Sequence, residues 1–74
     1  MLVKDLFPER ALKYRNIYKR ACMLFRRFES NKALGDMTLE EAIKVIDSRR
    51  LGFNGEEFRV FDEFIDILEM IKWG

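Results

Sequence analysis

Apolar residues recur every three or four positions in three stretches of the chain, and two short breaks separate them. In the first, Tyr14, Ile17, Tyr18, Ala21, Leu24, Phe25 and Phe28 share one helical face, which predicts a helix over about 8–28. Pro8 suits a first helical turn, where its missing N–H costs nothing, and Glu9 stands one turn before Lys13. Ahead of it, Leu2, Val3, Leu6 and Phe7 predict a short helical turn or an apolar arm folded back on the bundle. The segment ESNKALGDM (29–37) breaks the period, with Gly35 and Asp36 as turn residues.

The second stretch predicts a helix over 38–50. Thr38 and Glu41 have the spacing of a capping box, Leu39, Ala42, Ile43 and Ile46 form the apolar stripe, and Gly52 suits the position after the helix end. The third predicts a helix over 54–73. Asn54 is its cap, Glu57 stands at the third helical position, and Phe53 and Phe58 have the spacing of a hydrophobic staple. Phe58, Phe61, Phe64, Ile65, Leu68 and Ile71 line one face, with Val60 and Ile67 on its flank. That arc covers about half the circumference, so this helix should pack against both others. The fold class expected is all-α: one domain over 1–74, a small three-helix bundle, or four helices if the N-terminal arm is helical. The corner LGFNGEEF gives the last two helices a helix-turn-helix-like outline. Every residue in it is nonetheless accounted for as a helix stop followed by a helix start.

Composition narrows the chemistry. Seventy-four residues, 49% of them hydrophobic, can build one small core. The single cysteine, Cys22, has no internal disulfide partner, no apolar run nears the roughly 18–20 residues of a membrane span, and MLVKDLFPER lacks the features of a signal peptide. A cytoplasmic protein is expected. With no His or Gln, three Asn and 36% charged residues, the composition is of the kind reported for hyperthermophile proteins. Without His, the commonest general base and metal ligand is missing. Cys22 falls at the edge of an apolar face and reads as a small hydrophobe. Ser30, Thr38 and Ser48 have no base at a recognisable spacing, and the glycines at 35, 52, 55 and 74 match no phosphate-binding loop. Asp62, Asp66 and Glu69 align on the third helix, but Arg59 shares their stripe, so a solvated acidic face is expected rather than a cation site. The expectation is a non-enzymatic protein with no cofactor, no metal and no small-molecule substrate.

Charge is segregated. Residues 1–34 carry nine Lys/Arg and three Asp/Glu, and residues 35–74 carry five and ten, so a formal charge of +1 joins a basic half to an acidic one. The third helix is therefore poorly suited to enter a DNA groove, since residues 54–74 carry six acids and two bases. The first helix suits a macromolecule better. Lys13, Arg15, Lys19, Arg20, Arg26 and Arg27 crowd the side opposite its apolar face, with no acid among them. Leu12 and Met23 sit near the centre of that basic face, and Trp73 lies on the polar side of the third helix beside Met70. The six cations with Leu12, Met23 and Trp73 are the nine candidate binding residues. A protein partner is the first expectation, since exposed apolar residues ringed by charge mark docking patches. The alternative is DNA or RNA bound through the basic first helix. An ordinary solvated face accounts for the same charges.

The stretch from about Tyr14 to Gly74 also resembles the C-terminal domain of unknown function of membrane-anchored, transglutaminase-like archaeal and bacterial proteins. Thr38 and Glu41–Ala42 match its Thr-initiated middle helix, and Glu69, Lys72, Trp73 and Gly74 match its acidic-aromatic-Gly ending. Leu39 stands where that family often has Pro, and Trp73 where it usually has Tyr. The resemblance implies a cytosolic helical interaction module without known activity, and it carries no catalytic residue across.

Overall fold

The structure, a computed structural model, describes residues 1–29 and 31–74. It is an all-α three-helix bundle of α1 (Leu12–Phe25), α2 (Leu39–Ser48) and α3 (Gly55–Trp73), with a short 3-10 turn at Val3–Asp5 ahead of α1 and others at Leu34–Asp36 and Arg50–Gly52 between the helices. Ser30, within the expected break over 29–37, lies outside the described residues. Helix α3 packs against both α1 and α2, as its wide apolar arc requires.

The N-terminal arm is a 3-10 turn and belongs to the core. Val3 and Phe7 are fully buried, Val3 N–H donates to Met37 O at 2.8 Å, and Leu2 pairs with Thr38 as an isolated antiparallel bridge. The Phe7 ring stacks on Tyr18 at 4.6 Å, and both lie within about 6 Å of Phe64. This packing explains why α1 starts at Leu12 and not at Pro8. A helix continuous from Phe7 to Tyr18 would hold them about 16 Å apart along its axis. The chain instead turns at 8–11, where Arg10 N–H donates to Phe7 O at 3.0 Å and Arg10 Nε to Leu6 O at 2.9 Å. Glu9 is thereby outside the helix, and the expected Glu9–Lys13 pair is not among the ion pairs of the described residues.

At its other end α1 tightens into i→i+3 bonds, Arg27 N–H to Leu24 O and Phe28 N–H to Phe25 O, so regular helix stops at Phe25 and not at residue 28. Phe28 then meets Phe53 at 5.2 Å and Phe61 at 6.1 Å, and Phe53 stacks on Phe61 at 4.7 Å. Phe53, the residue before the α3 cap, is thus part of that cluster. Phe58, expected in the core, is half exposed beneath the Arg50 guanidinium at 5.4 Å.

Thr38 Oγ1 accepts from Glu41 N–H at 3.1 Å, but the Glu41 carboxylate turns to Lys32 Nζ at 3.0 Å, so only half of a capping box is present. The complete box is at α3. Asn54 Oδ1 accepts from Glu57 N–H, and Glu57 Oε1 accepts from Asn54 N–H, both at 2.9 Å. Glu57 is the one buried charged side chain among the described residues. Helix α2 runs to Ser48 and not to residue 50. It ends in the Arg50–Gly52 3-10 turn without a left-handed glycine, so the expected Gly52 stop is not used. Arg49 pairs with Glu29, and Arg50 bridges Asp47 and Asp62, which ties the corner to α3.

Candidate functional site

Helix α1 presents its apolar side, Ala21, Leu24 and Phe25, to the core and turns its opposite side outward. Along the middle of that outer side run Leu12, Asn16, Lys19 and Met23, three or four residues apart. All four are exposed, Leu12 at 60% and Met23 at 69%. Lys13, Arg26 and Arg27 flank them and are exposed as well. No acid occurs between Glu9 and Glu29. The helix thus starts with Lys13 and Arg15 near its positive end, with no acidic residue in its first turn and no side-chain cap. That arrangement costs stability where an acid would add about 0.3–1 kcal/mol.

The six cations expected to act together divide into three settings. Lys19, Arg26 and Arg27 have no carboxylate within 4.0 Å among the described residues, and Lys13 Nζ lies over the Tyr14 ring at 5.6 Å. Arg20 is paired with Glu56 at the start of α3 in an exposed ion pair, so an acid stands beside this cation. Arg15 is half buried, and its Nε is shielded from solvent with no acceptor among the described residues. It lines a notch rather than the open face.

The apolar candidates do not form one patch. Leu12 and Met23 are three helical turns, about 16 Å, apart. The Arg20–Glu56 pair, with Lys13 and Ile17 beside Glu63 and Ile67, shows that α1 and α3 run antiparallel. Trp73 therefore sits at the bundle end that holds the start of α1, far from Met23. It is 79% exposed, with Lys72 Nζ 5.3 Å from its ring centre.

Sequence reasoning missed two features. Leu51 is fully exposed at the α2–α3 corner, where its turn position gave no reason to single it out. The notch of about 180 Å³ beside Arg15 is lined by Lys4, Phe7, Pro8, Tyr18 and Lys19, residues that only the folded arm brings together. On the outer face of α3, Asp62 is held by Arg50 at 3.2 Å, and among the described residues no three His, Cys, Asp or Glu side chains converge as a metal site. The Cys22 thiol is half buried beside the Tyr18 hydroxyl, and burial pushes its pKa up from the usual thiol value, away from the reactive thiolate. No described helix is long and apolar enough to cross a membrane.

No protein-family model matches the chain, and no curated protein or solved structure matches it.

Proposed function

We propose that the protein is a non-enzymatic binding module whose outward α1 face docks an acidic, partly apolar segment of another protein. One observation carries this reading. A helix without a single acid presents exposed Leu12 and Met23 between unpaired cations, at a cost to its own stability. Phosphates alone would reward the cations and leave the two apolar side chains unused, whereas an amphipathic acidic helix would use both. Nucleic acid is the alternative, favoured by the run of seven cations from Arg10 to Arg27. The pairing of Arg20 with Glu56 weakens it by setting an acid beside one of those cations. A cytosolic setting and a thermophilic source belong to the same proposal and rest on composition. The source predicts thermal unfolding above the roughly 45–65 °C range of mesophile domains. The likeness of residues 14–74 to the domain of unknown function agrees with a binding role and assigns no residue to it.

The test is fluorescence anisotropy with a labelled peptide carrying Leu at helical spacing and Glu elsewhere. Binding should weaken about tenfold in Met23→Asp and in Arg27→Glu, about what losing one buried anchor or one charged contact costs. Affinity unchanged in both variants would overturn the assignment of the α1 face.

A further inference from the structure

Helices α1 and α3 lie side by side, and an open groove runs between them. Lys13, Tyr14 and Ile17 line it from α1, and Glu63, Asp66 and Ile67 from α3. Tyr14 and Ile17 are only partly buried, as is Val60 about one turn along α3, so an apolar seam stays partly open to solvent. The α1 bank of the groove is basic, and the α3 bank is mainly acidic. Lys13, Asn16 and Arg20 follow one another at helical spacing on the first, and Glu56, Arg59, Glu63 and Asp66 on the second. All seven are exposed. Arg20 pairs with Glu56 within one copy. Lys13, Glu63 and Asp66 have no opposite charge within 4.0 Å among the described residues, although all three border the groove.

We propose that this side of the bundle is a two-fold interface between two copies of the chain. A two-fold axis along the groove sets α1 of each copy on α3 of the other, with the level of every residue unchanged. Lys13 of each copy then faces Glu63 and Asp66 of the other. Arg20 comes level with Glu56, so this exposed pair can exchange between copies at little cost. Asn16, midway between Lys13 and Arg20, comes level with Arg59, midway between Glu56 and Glu63, so the one cation on the α3 bank meets an uncharged side chain. The apolar seams of the two copies meet in the middle. A two-fold axis across the groove would set α1 on α1 and α3 on α3 and oppose like charges. The charge pattern therefore selects one arrangement, and its closure stops at a dimer. A formal charge of +1 per copy adds little net repulsion. The molecule measures 30 × 23 × 20 Å, so covering one long side buries about 1,200 Å² over both copies, the low end of specific interfaces. A dissociation constant in the micromolar range is expected for such an area. Leu12, Lys19 and Met23 lie further round α1, so the dimer leaves the face described above open and does not depend on it.

The test is sedimentation equilibrium of the full chain from about 1 to 500 µM, a range that brackets micromolar association. The expected result is a reversible monomer–dimer equilibrium that weakens as salt rises. Lys13→Glu and Glu63→Lys should each weaken it at least about tenfold, because each substitution sets like charges together at two symmetric places. An equimolar mixture of the two variants should recover the dimer, since only the mixed pair opposes unlike charges at both places. Both residues are exposed, and Asp66→Lys repeats the acidic arm of the test independently. Four results overturn the proposal. The chain may stay monomeric throughout the range. It may form species that grow beyond a dimer. The reversals may leave the association unchanged, which places the contact elsewhere. The mixed variants may fail to recover it.

Discussion

Gly35 offers a quantitative test of how the arm, α1 and the 34–36 turn fit together. It is buried, and a Cβ placed on it would lie 2.5 Å from the Tyr18 hydroxyl oxygen and 3.2 Å from Lys4 Cβ. Its φ is not positive, so alanine fits the backbone, and on that account alone Gly35→Ala would stabilise by about 0.4–1 kcal/mol. The steric side opposes this. A 2.5 Å approach must be relieved, and Tyr18 cannot easily retreat, because its ring is stacked on Phe7 with planes 2° apart. Overpacking of this kind costs about 1–3 kcal/mol, so the net expectation is destabilisation by about 1–2 kcal/mol. Removing the hydroxyl removes the worst contact. In Tyr18→Phe the nearest remaining atoms are Lys4 Cβ at 3.2 Å and the ring carbon Cζ at 3.8 Å. Urea unfolding of the wild type, both single variants and the double variant closes the cycle. Gly35→Ala should cost at least about 1 kcal/mol less when combined with Tyr18→Phe than alone, a coupling typical of touching residues. Additive effects within about 0.3 kcal/mol would refute the placement of the Tyr18 hydroxyl over Gly35.

Phe7→Ala should destabilise by about 3–5 kcal/mol in urea unfolding at unchanged slope, because a fully buried ring is lost from the cluster with Tyr18 and Phe64. A cost below about 1 kcal/mol would mean that the arm is not docked. Asn54→Ala and Glu57→Ala should each cost about 1–2 kcal/mol, and the double variant less than their sum, because the two side chains cap one helix end reciprocally; calorimetric unfolding reads this, and strict additivity would contradict a shared box. Burial raises the Tyr18 phenol from 10.0 to about 12. The folded protein then keeps a proton that the unfolded chain releases, so this contribution to stability is full below pH 10 and is lost as pH rises to about 12. Urea midpoints measured between about pH 9 and 12 should fall in the wild type and fall less in Tyr18→Phe, and parallel profiles would count against that burial.

The fold was legible where one residue type decides one local event. Asn54 with Glu57, and the stripe Ala21, Leu24, Phe25, mark a helix start and a buried face by spacing alone, and both stand where the spacing put them. Boundaries set by tertiary packing were not legible. Nothing near Pro8 announces that Phe7 stacks on Tyr18, yet that contact moves the start of α1 by four residues. Phe58 fits the apolar period of α3 but is half exposed, with the Arg50 guanidinium over its ring, a placement the period of α3 alone does not carry. At the candidate site the helical wheel gave the exposure of Leu12, Met23, Lys19, Arg26 and Arg27. It could not give the Arg20–Glu56 pair, which spans 36 residues, or the notch that draws Arg15 aside. Those depend on how separate elements meet, and the period of one element carries no record of its neighbours.

The most direct test of the α1 face as a protein-docking surface is an amide-shift titration of labelled protein at low and near-physiological salt. The Leu/Glu helical peptide and a mixed-sequence DNA duplex would be added in turn. The account predicts that the peptide shifts Leu12, Asn16, Lys19, Met23 and their flanking cations and still does so at the higher salt, because apolar contact is not screened. It predicts that any shifts caused by the duplex collapse with salt. A duplex that holds the α1 face at near-physiological salt while the peptide leaves it unmoved would contradict the account and make α1 a phosphate-binding helix.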